Sequence, residues 1–277
     1  MIPLFLLFVM CQNNNKKEET LSVLPSDTIP MQYSPDYPNF RMLILDGIVN
    51  NSLHFKVFFD THTGGNSFSI SDSLKNFFVS DSAFVRIGRL KKQMQINYLR
   101  SDQRNFFNED ALGKNSILVG WQFFENKIIE FDFQNQRILV YEELPDITEY
   151  SKTKITLSGN STDNYALLIP TQVAVEGKTL EDSVIIDTGH NGYITLSSEY
   201  IRKQGILTIH SSFEKSTTCS ILLADTIKIG DLYVANQNMN ILCSNRSLGL
   251  LGTKTLENFS VILDLINYDL YLKKIDN

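Results

Sequence analysis

The sequence has no basic stripe, no apolar stretch long enough to cross a membrane as a helix, and very little cysteine. Lysine and arginine number 25 against 31 acidic residues, a net charge of −6. That balance gives no support to binding of a polyanion such as nucleic acid. The apolar run at residues 2–10 falls far short of the ~20 residues a spanning helix needs. Cysteine occurs only at 11, 219 and 243, and no Cys/His cluster has zinc-ligand spacing. Cys219 and Cys243 are compatible with a disulfide in an oxidising compartment and equally with two free thiols. Sustained helical periodicity is also missing, apart from short candidates at Ser71–Phe78 and Ser197–Gln204.

What is present points to strands. Phenylalanine (18) and tyrosine (11) are plentiful, and 43% hydrophobic with 20% charged residues is the composition of a folded chain. From about Asn39 onward, short apolar runs alternate with Asn, Gly, Asp and Ser, the pattern of an all-β architecture. The length of 277 residues allows one large or two ordinary domains. The opening "MIPLFLLFVMCQNNNKKEET" resembles a bacterial lipoprotein export signal, which implies lipidation at Cys11 and a place in the cell envelope. It departs from that pattern in lacking a basic residue before the apolar run and in carrying Met10 where a small residue is usual. Residues 1–11 are therefore expected to be the signal, and the polar stretch 12–35 a tether.

The rest of the chain is written twice. "LVGWQFFENKIIEFDFQNQRILV" (118–140) aligns without a gap on "LLGTKTLENFSVILDLINYDLYL" (250–272). Gly120 meets Gly252, Glu125–Asn126 meets Glu257–Asn258, Asp132 meets Asp264 and Asn135 meets Asn267. Upstream, "VRIGRL" (85–90) pairs with "IKIGDL" (227–232), and "IVNNSLHFKVFFDT" (48–61) with "VEGKTLEDSVIIDT" (175–188). Three matches in the same order predict two homologous lobes, 36–147 and 148–277, because the period is too long for a solenoid.

The last match couples two aspartates, Asp60 in "FFDTHTGG" and Asp187 in "IIDTGHNG". Either one alone reads as a turn cap that bonds its own backbone. As a pair they carry chemistry. Lobes related by a pseudo-twofold bring equivalent strand ends together, and like charges at close range force two carboxyls to share a proton. One member then acts as base toward a water while the other donates to a carbonyl.

With these residues the chain resembles the aspartic proteases, in the branch with retropepsin-like lobes. The motif of that family is an apolar-apolar-Asp-Thr/Ser-Gly turn, here "FFDTH" and "IIDTG", followed in each lobe by an apolar-apolar-Gly element, here "ILVG" (117–120) and "GLLG" (249–252). The resemblance implies two β-barrel-like lobes with a cleft between them, Asp60 and Asp187 as catalytic pair, and a water nucleophile without cofactor or metal. It also implies that Thr61 and Thr188 hold the two turns rigid and that Gly189 lets backbone and substrate approach closely. The expected substrate is a peptide or unfolded protein, handled by a monomer that meets a membrane only through its lipid anchor.

The first lobe departs from the motif. His62 stands where glycine is expected, and its turn is one residue longer than the second. That departure motivates an alternative: a silent binding protein that kept the cleft and lost the chemistry. His62 and His190 also raise metal ligation by two carboxylates and two imidazoles, which the unequal Asp–His spacing disfavours. A closing hairpin is expected within 79–94 or 212–232, with Tyr98 and Cys219 as candidate flap residues.

Overall fold

A computed structural model describes residues 23–33, 42–99, 116–159, 166–175, 177–197, 201, 203–204, 221–235, 238–242 and 248–275. Cys11, Cys219 and Cys243 lie outside these, as does the whole segment 205–220 with the first part of the 212–232 hairpin candidate. The first half runs through β1 (Asp27–Tyr33), β2 (Leu43–Val49), β3 (Leu53–Asp60), β4 (Ser67–Ser71), β5 (Ser82–Ile87), β6 (Leu90–Leu99), β7 (Ser116–Gly120), β8 (Ile128–Asp132) and β9 (Arg137–Tyr141). The second begins with β10 (Ser151–Lys154), β11 (Thr156–Ser158), β12 (Ala166–Val175), β13 (Lys178–Asp187), β14 (Ile194–Ser197) and β15 (Ile221–Leu223). It ends with β16 (Thr226–Ile229), β17 (Leu232–Ala235), β18 (Asn238–Leu242), β19 (Gly249–Gly252), β20 (Phe259–Asp264) and β21 (Asp269–Lys274). The expected all-β architecture is what the chain adopts. Of the two helix candidates, the first is a short 3-10 turn, Asp72–Phe77, and of the second Ile201 and Lys203 are helical.

In the first lobe β2-β3-β7-β4-β6-β5 closes on itself through the β5–β2 pairing, a six-stranded barrel. Closure removes the edges that an open sheet would expose. The strand β3, "LHFKVFFD", shows why its end is buried on both sides. Phe55, Val57 and Phe59 alternate inward, and Phe58 is buried as well. Phe59 stacks on Phe131 at 6.1 Å and meets Phe124 edge-on at 5.1 Å, so this strand is anchored by aromatic contact just before its aspartate.

The second sheet, β15-β18-β14-β19-β13-β12-β16-β17, repeats the same pairings. Parallel β3–β7 places Asp60 opposite Gly120, and parallel β13–β19 places Asp187 opposite Gly252. Phe68 pairs with Val119 in the first lobe and Ile194 with Leu251 in the second, which locates the extra residue of the first lobe in the turn after its aspartate. The upstream match holds along β3 and β13 but slips on the strands before them. Val49 opposite Leu53 closes one hairpin, while Val173 opposite Leu180 is followed by two further pairs in the other.

A third set of strands, β1-β9-β8-β20-β21-β10, joins the lobes. Its centre is β8 against β20, with Phe131 opposite Val261, Glu130 opposite Ile262 and Ile129 opposite Leu263. The shift that carries Gly120 onto Gly252 carries Glu130 onto Ile262, so the pseudo-twofold axis passes through that pair. The aspartate and asparagine shared by the two halves do turn work here. Asp132 accepts from Asn135 N and Nδ2, and Asp264 accepts from Asn267 N and Nδ2.

Two expectations need correction. The stretch 12–35 is not tether throughout, because residues 27–33 form β1. Ile29 and Met31 alternate inward there, a two-residue period masked by polar neighbours and by Pro30. Proline is tolerated because β1 changes partner at that point, from β9 to β2. Nor are the hairpins β5–β6 and β16–β17 free to close like lids at their turns. Gly88 and Gly230 both take φ +57°, and a Cβ at Gly88 would lie 2.3 Å from Asp27 Oδ2 and one at Gly230 2.9 Å from Thr153 Cβ. Each turn is docked on the first strand of its lobe, and Arg89 N–H donates to Asp27 Oδ2 at 2.6 Å. Tyr98 lies on β6, where it pairs with Ile70 of β4 and has the Lys75 ammonium over its ring at 5.7 Å.

Truncating Phe59 would open a cavity beside two aromatic rings. Phe59→Ala is expected to lower unfolding free energy by about 3–5 kcal/mol, read from urea denaturation midpoints, with Phe59→Leu losing clearly less.

Candidate active site

Both aspartates end a strand that is hydrophobic on both faces, so each carboxyl is carried into the interface between the lobes without room to turn away. Asp187 is buried and Asp60 half-buried. Behind each stands its own backbone turn. His62 N–H donates to Asp60 Oδ1 at 2.8 Å, and Gly189 N–H donates to Asp187 Oδ1 at 2.9 Å. These are equivalent bonds from equivalent residues, and they aim both carboxyls the same way.

The two turns are bound to each other by a closed set of four hydrogen bonds. Thr61 Oγ1 donates to Ile186 O at 2.7 Å, and Thr188 Oγ1 donates to Phe59 O at 3.0 Å. Each hydroxyl in turn accepts the backbone N–H of the other threonine, both at 3.0 Å. Both threonines are fully buried. Each hydroxyl donates its one proton and accepts one bond in return, so no buried group in the set is left without a partner.

Beneath each turn lies the glycine of the apolar-apolar-Gly element. A Cβ at Gly120 would sit 1.9 Å from Thr63 O, and one at Gly252 2.3 Å from Gly192 O and 2.6 Å from His190 O. Neither glycine has unusual dihedrals, with φ −87° and −91°. Close backbone approach, not conformation, demands glycine at both places. At Gly189 the same measure finds Asp60: a Cβ would lie 2.8 Å from its Cγ.

The environments of the two carboxyls differ. Burial pushes Asp60 up to about 6, with the charge of Asp187 adding to it and the His62 N–H bond, the His62 charge and the Thr63 bond opposing it. Burial also acts to raise Asp187, but it is outweighed by the hydrogen bond and charge of His62, the charge of His190 and a hydrogen bond from Asp60. Asp187 therefore sits below the ordinary carboxylate value. Each carboxyl acts on the ionisation of the other, and with Asp60 raised and Asp187 lowered a proton shared by the pair sits on Asp60.

Asp60, Thr61, His62, Asp187, Thr188, Gly189 and His190 gather here, though not in equal roles, while Tyr98 is held on β6 against β4. His62 Nδ1 meets Asp187 Oδ2 across the interface at 3.2 Å. His190 turns away, with Nε2 on Thr195 Oγ1 at 2.8 Å. The imidazoles thus do not converge on one point, and among the described residues no group of three or more His, Cys, Asp or Glu could hold a metal ion. Two contributors were not picked out by the motif. Thr63 Oγ1 donates to Asp60 Oδ2 at 3.0 Å, and its only signal is a hydroxyl three places after the aspartate. Thr195 had no signal in the sequence, since its partner is fixed by the fold of the turn.

Comparison with known proteins agrees with the fold. The crystal structure of an aspartic proteinase from Irpex lacteus superposes with a TM-score of 0.57 at 12% identity, covering 90% of this chain and 97% of that one. The chain has the aspartic-proteinase fold. No family model matches it, and a search of curated proteins found no relative.

Replacing Thr188 by valine keeps its volume and removes one donor and one acceptor, leaving Phe59 O and Thr61 N–H unpaired. Thr188→Val is expected to cost about 1–3 kcal/mol for each orphaned group, whereas Thr188→Ser stays near wild type in thermal denaturation.

Proposed function

We propose that the protein is an aspartic-type endopeptidase in which a water is activated between Asp60 and Asp187. The observation that carries this reading is the pair of equivalent aspartates on two turns locked together by the threonine set, with the second turn against the Asp60 carboxyl and the two carboxyls shifted in opposite directions. A peptidase needs that state: an ionised carboxylate to take a proton from water and a protonated one to give a proton to the peptide carbonyl.

The steps follow from the assignment. Water attacks the carbonyl carbon while Asp187 takes its proton, and Asp60 donates its proton to the carbonyl oxygen. A tetrahedral diol results, neutral apart from the enzyme. On collapse Asp187 passes its proton to the leaving nitrogen, and Asp60 recovers one from a diol hydroxyl, restoring the starting state. No covalent intermediate forms. The rigid turns matter because an acid–base pair displaced by an ångström loses much of its effect.

The substrate that fits a cleft between β lobes is an extended peptide or unfolded chain, paired partly through its backbone. The net charge of −6 speaks against nucleic acid. An exported, lipid-anchored monomer is our reading of cellular context, and it rests on the sequence of residues 1–20, with Cys11 as acceptor.

The purified protein is expected to cleave an unfolded substrate in a pepstatin-sensitive manner. Asp187→Asn and Asp60→Asn should each lower kcat/KM by at least about 10²-fold. Activity should persist into acid below the ordinary carboxylate value, since Asp187 is depressed, and fall as pH rises through about 6, where Asp60 gives up its proton. A folded protein that leaves unfolded substrates intact across this range, while binding them equally well with both aspartates replaced, would instead be a silent binding protein.

A further inference from the structure

His62 and Gly189 are equivalent residues, each directly after the Asp-Thr of its turn, and the structure uses the difference between them. Position 189 has no side chain and abuts the Asp60 carboxyl, with space for nothing further. Position 62 sends an imidazole across the interface, Nδ1 to Asp187 Oδ2 at 3.2 Å. The imidazole is 31% exposed, so it is open to solvent on one side while it meets the buried Asp187 on the other. The next position is also asymmetric. Thr63 bonds Asp60 Oδ2 within its own turn, while its counterpart His190 is engaged with Thr195 and leaves Asp187 Oδ2 to His62.

Each outer carboxylate oxygen thus has one side-chain partner. For Asp60 it is a neutral hydroxyl from its own lobe, and for Asp187 an ionisable imidazole from the other. The other groups acting on the pair are few. Asp60 and Asp187 act on one another, the Gly189 and His62 N–H groups bond the inner oxygens, the His62 charge reaches Asp60 as well as Asp187, and His190 contributes charge from the second turn.

We propose that His62 is a positioning residue, a third member of the site that donates from Nδ1 to Asp187 across the lobes and so places the shared proton on Asp60. This rests on the peptidase reading for its catalytic meaning, but the hydrogen bond and its effect on the pair do not. In a nearly symmetric pair the two aspartates would compete evenly for the proton. The charge of His62 favours the ionised form of both carboxyls, but its imidazole hydrogen bond goes to Asp187, and that side-chain bond breaks the tie. The extra residue of the first turn gives the imidazole room to reach over, where a plain repeat of the second turn would present only a glycine. The departure that threatens the motif on paper becomes, in three dimensions, the source of its directionality.

The test uses the full chain labelled with 13C at the aspartate carboxyls, with the two signals assigned through Asp60→Asn and Asp187→Asn. In wild type the Asp187 signal should titrate below the ordinary carboxylate range. His62→Ala should raise that midpoint by roughly one unit, a tenfold change in proton concentration, with the Asp60 signal moving less. His62→Gln, which keeps a donor without the charge, should fall between. Thermal midpoints confirm that both variants are folded, and the Gln variant carries the test if the Ala variant is not. An Asp187 midpoint unchanged in folded His62 variants overturns the proposal. Where the chain cleaves peptide, the acid limb of kcat/KM against pH should move up with the Asp187 midpoint, and the limb near 6 should move less. A shifted midpoint without turnover in any variant upholds the role of His62 and overturns the peptidase reading. Turnover with an unmoved midpoint does the reverse.

Discussion

Four buried hydrogen bonds between Thr61 and Thr188 and the strands facing them are the constraint on which the site depends. They close a circuit in which each hydroxyl gives one bond and takes another, so neither turn can shift without leaving buried groups of the other unpaired. An unpaired buried donor or acceptor costs about 1–3 kcal/mol, and several would be exposed together. The carboxyls on either side of the circuit therefore inherit their separation from backbone geometry. Their own mutual repulsion is contained rather than relieved, and the pair answers by sharing a proton.

That rigidity is supported from below and behind. Gly120 and Gly252 admit the backbone of the active turns to distances no side chain would allow. The central strands β8 and β20 pair about the axis through Glu130 and Ile262, fixing one lobe against the other. The aromatic stack of Phe59 on Phe131 ties the strand bearing Asp60 to that central sheet. Within this near-symmetric frame two successive positions break the symmetry, 62 against 189 and 63 against 190. With glycine at 189 and histidine at 62, the two aspartates receive different partners, and the frame is stiff enough for that difference to be felt as a difference in proton affinity.

Much of this was legible because the chain repeats itself. The apolar strands running into Asp-Thr, the later glycine elements and the hairpin glycines Gly88 and Gly230 recur in order, and each recurrence marks a place where backbone geometry leaves little choice. Other features were hidden for identifiable reasons. β1 was obscured because its inward residues, Ile29 and Met31, are only two and are separated by a proline that usually argues against a strand. The partner of His190 could not be guessed, since Thr195 approaches only after the turn has folded back. The hairpins at Gly88 and Gly230 resembled lids until their docking on Asp27 and Thr153 placed them at the foot of each lobe.

By itself the sequence determined that the chain is built of strands, that it is written twice, and that two aspartates occupy equivalent strand ends. Periodicity and repetition are local properties, and they survive in one dimension. Which oxygen of which aspartate meets His62, and hence which carboxyl keeps the proton, was decided only by the tertiary structure. Residues 62 and 187 are distant in the chain, and their contact exists because the threonine circuit and the central sheet bring two turns face to face with one residue of extra length on one side.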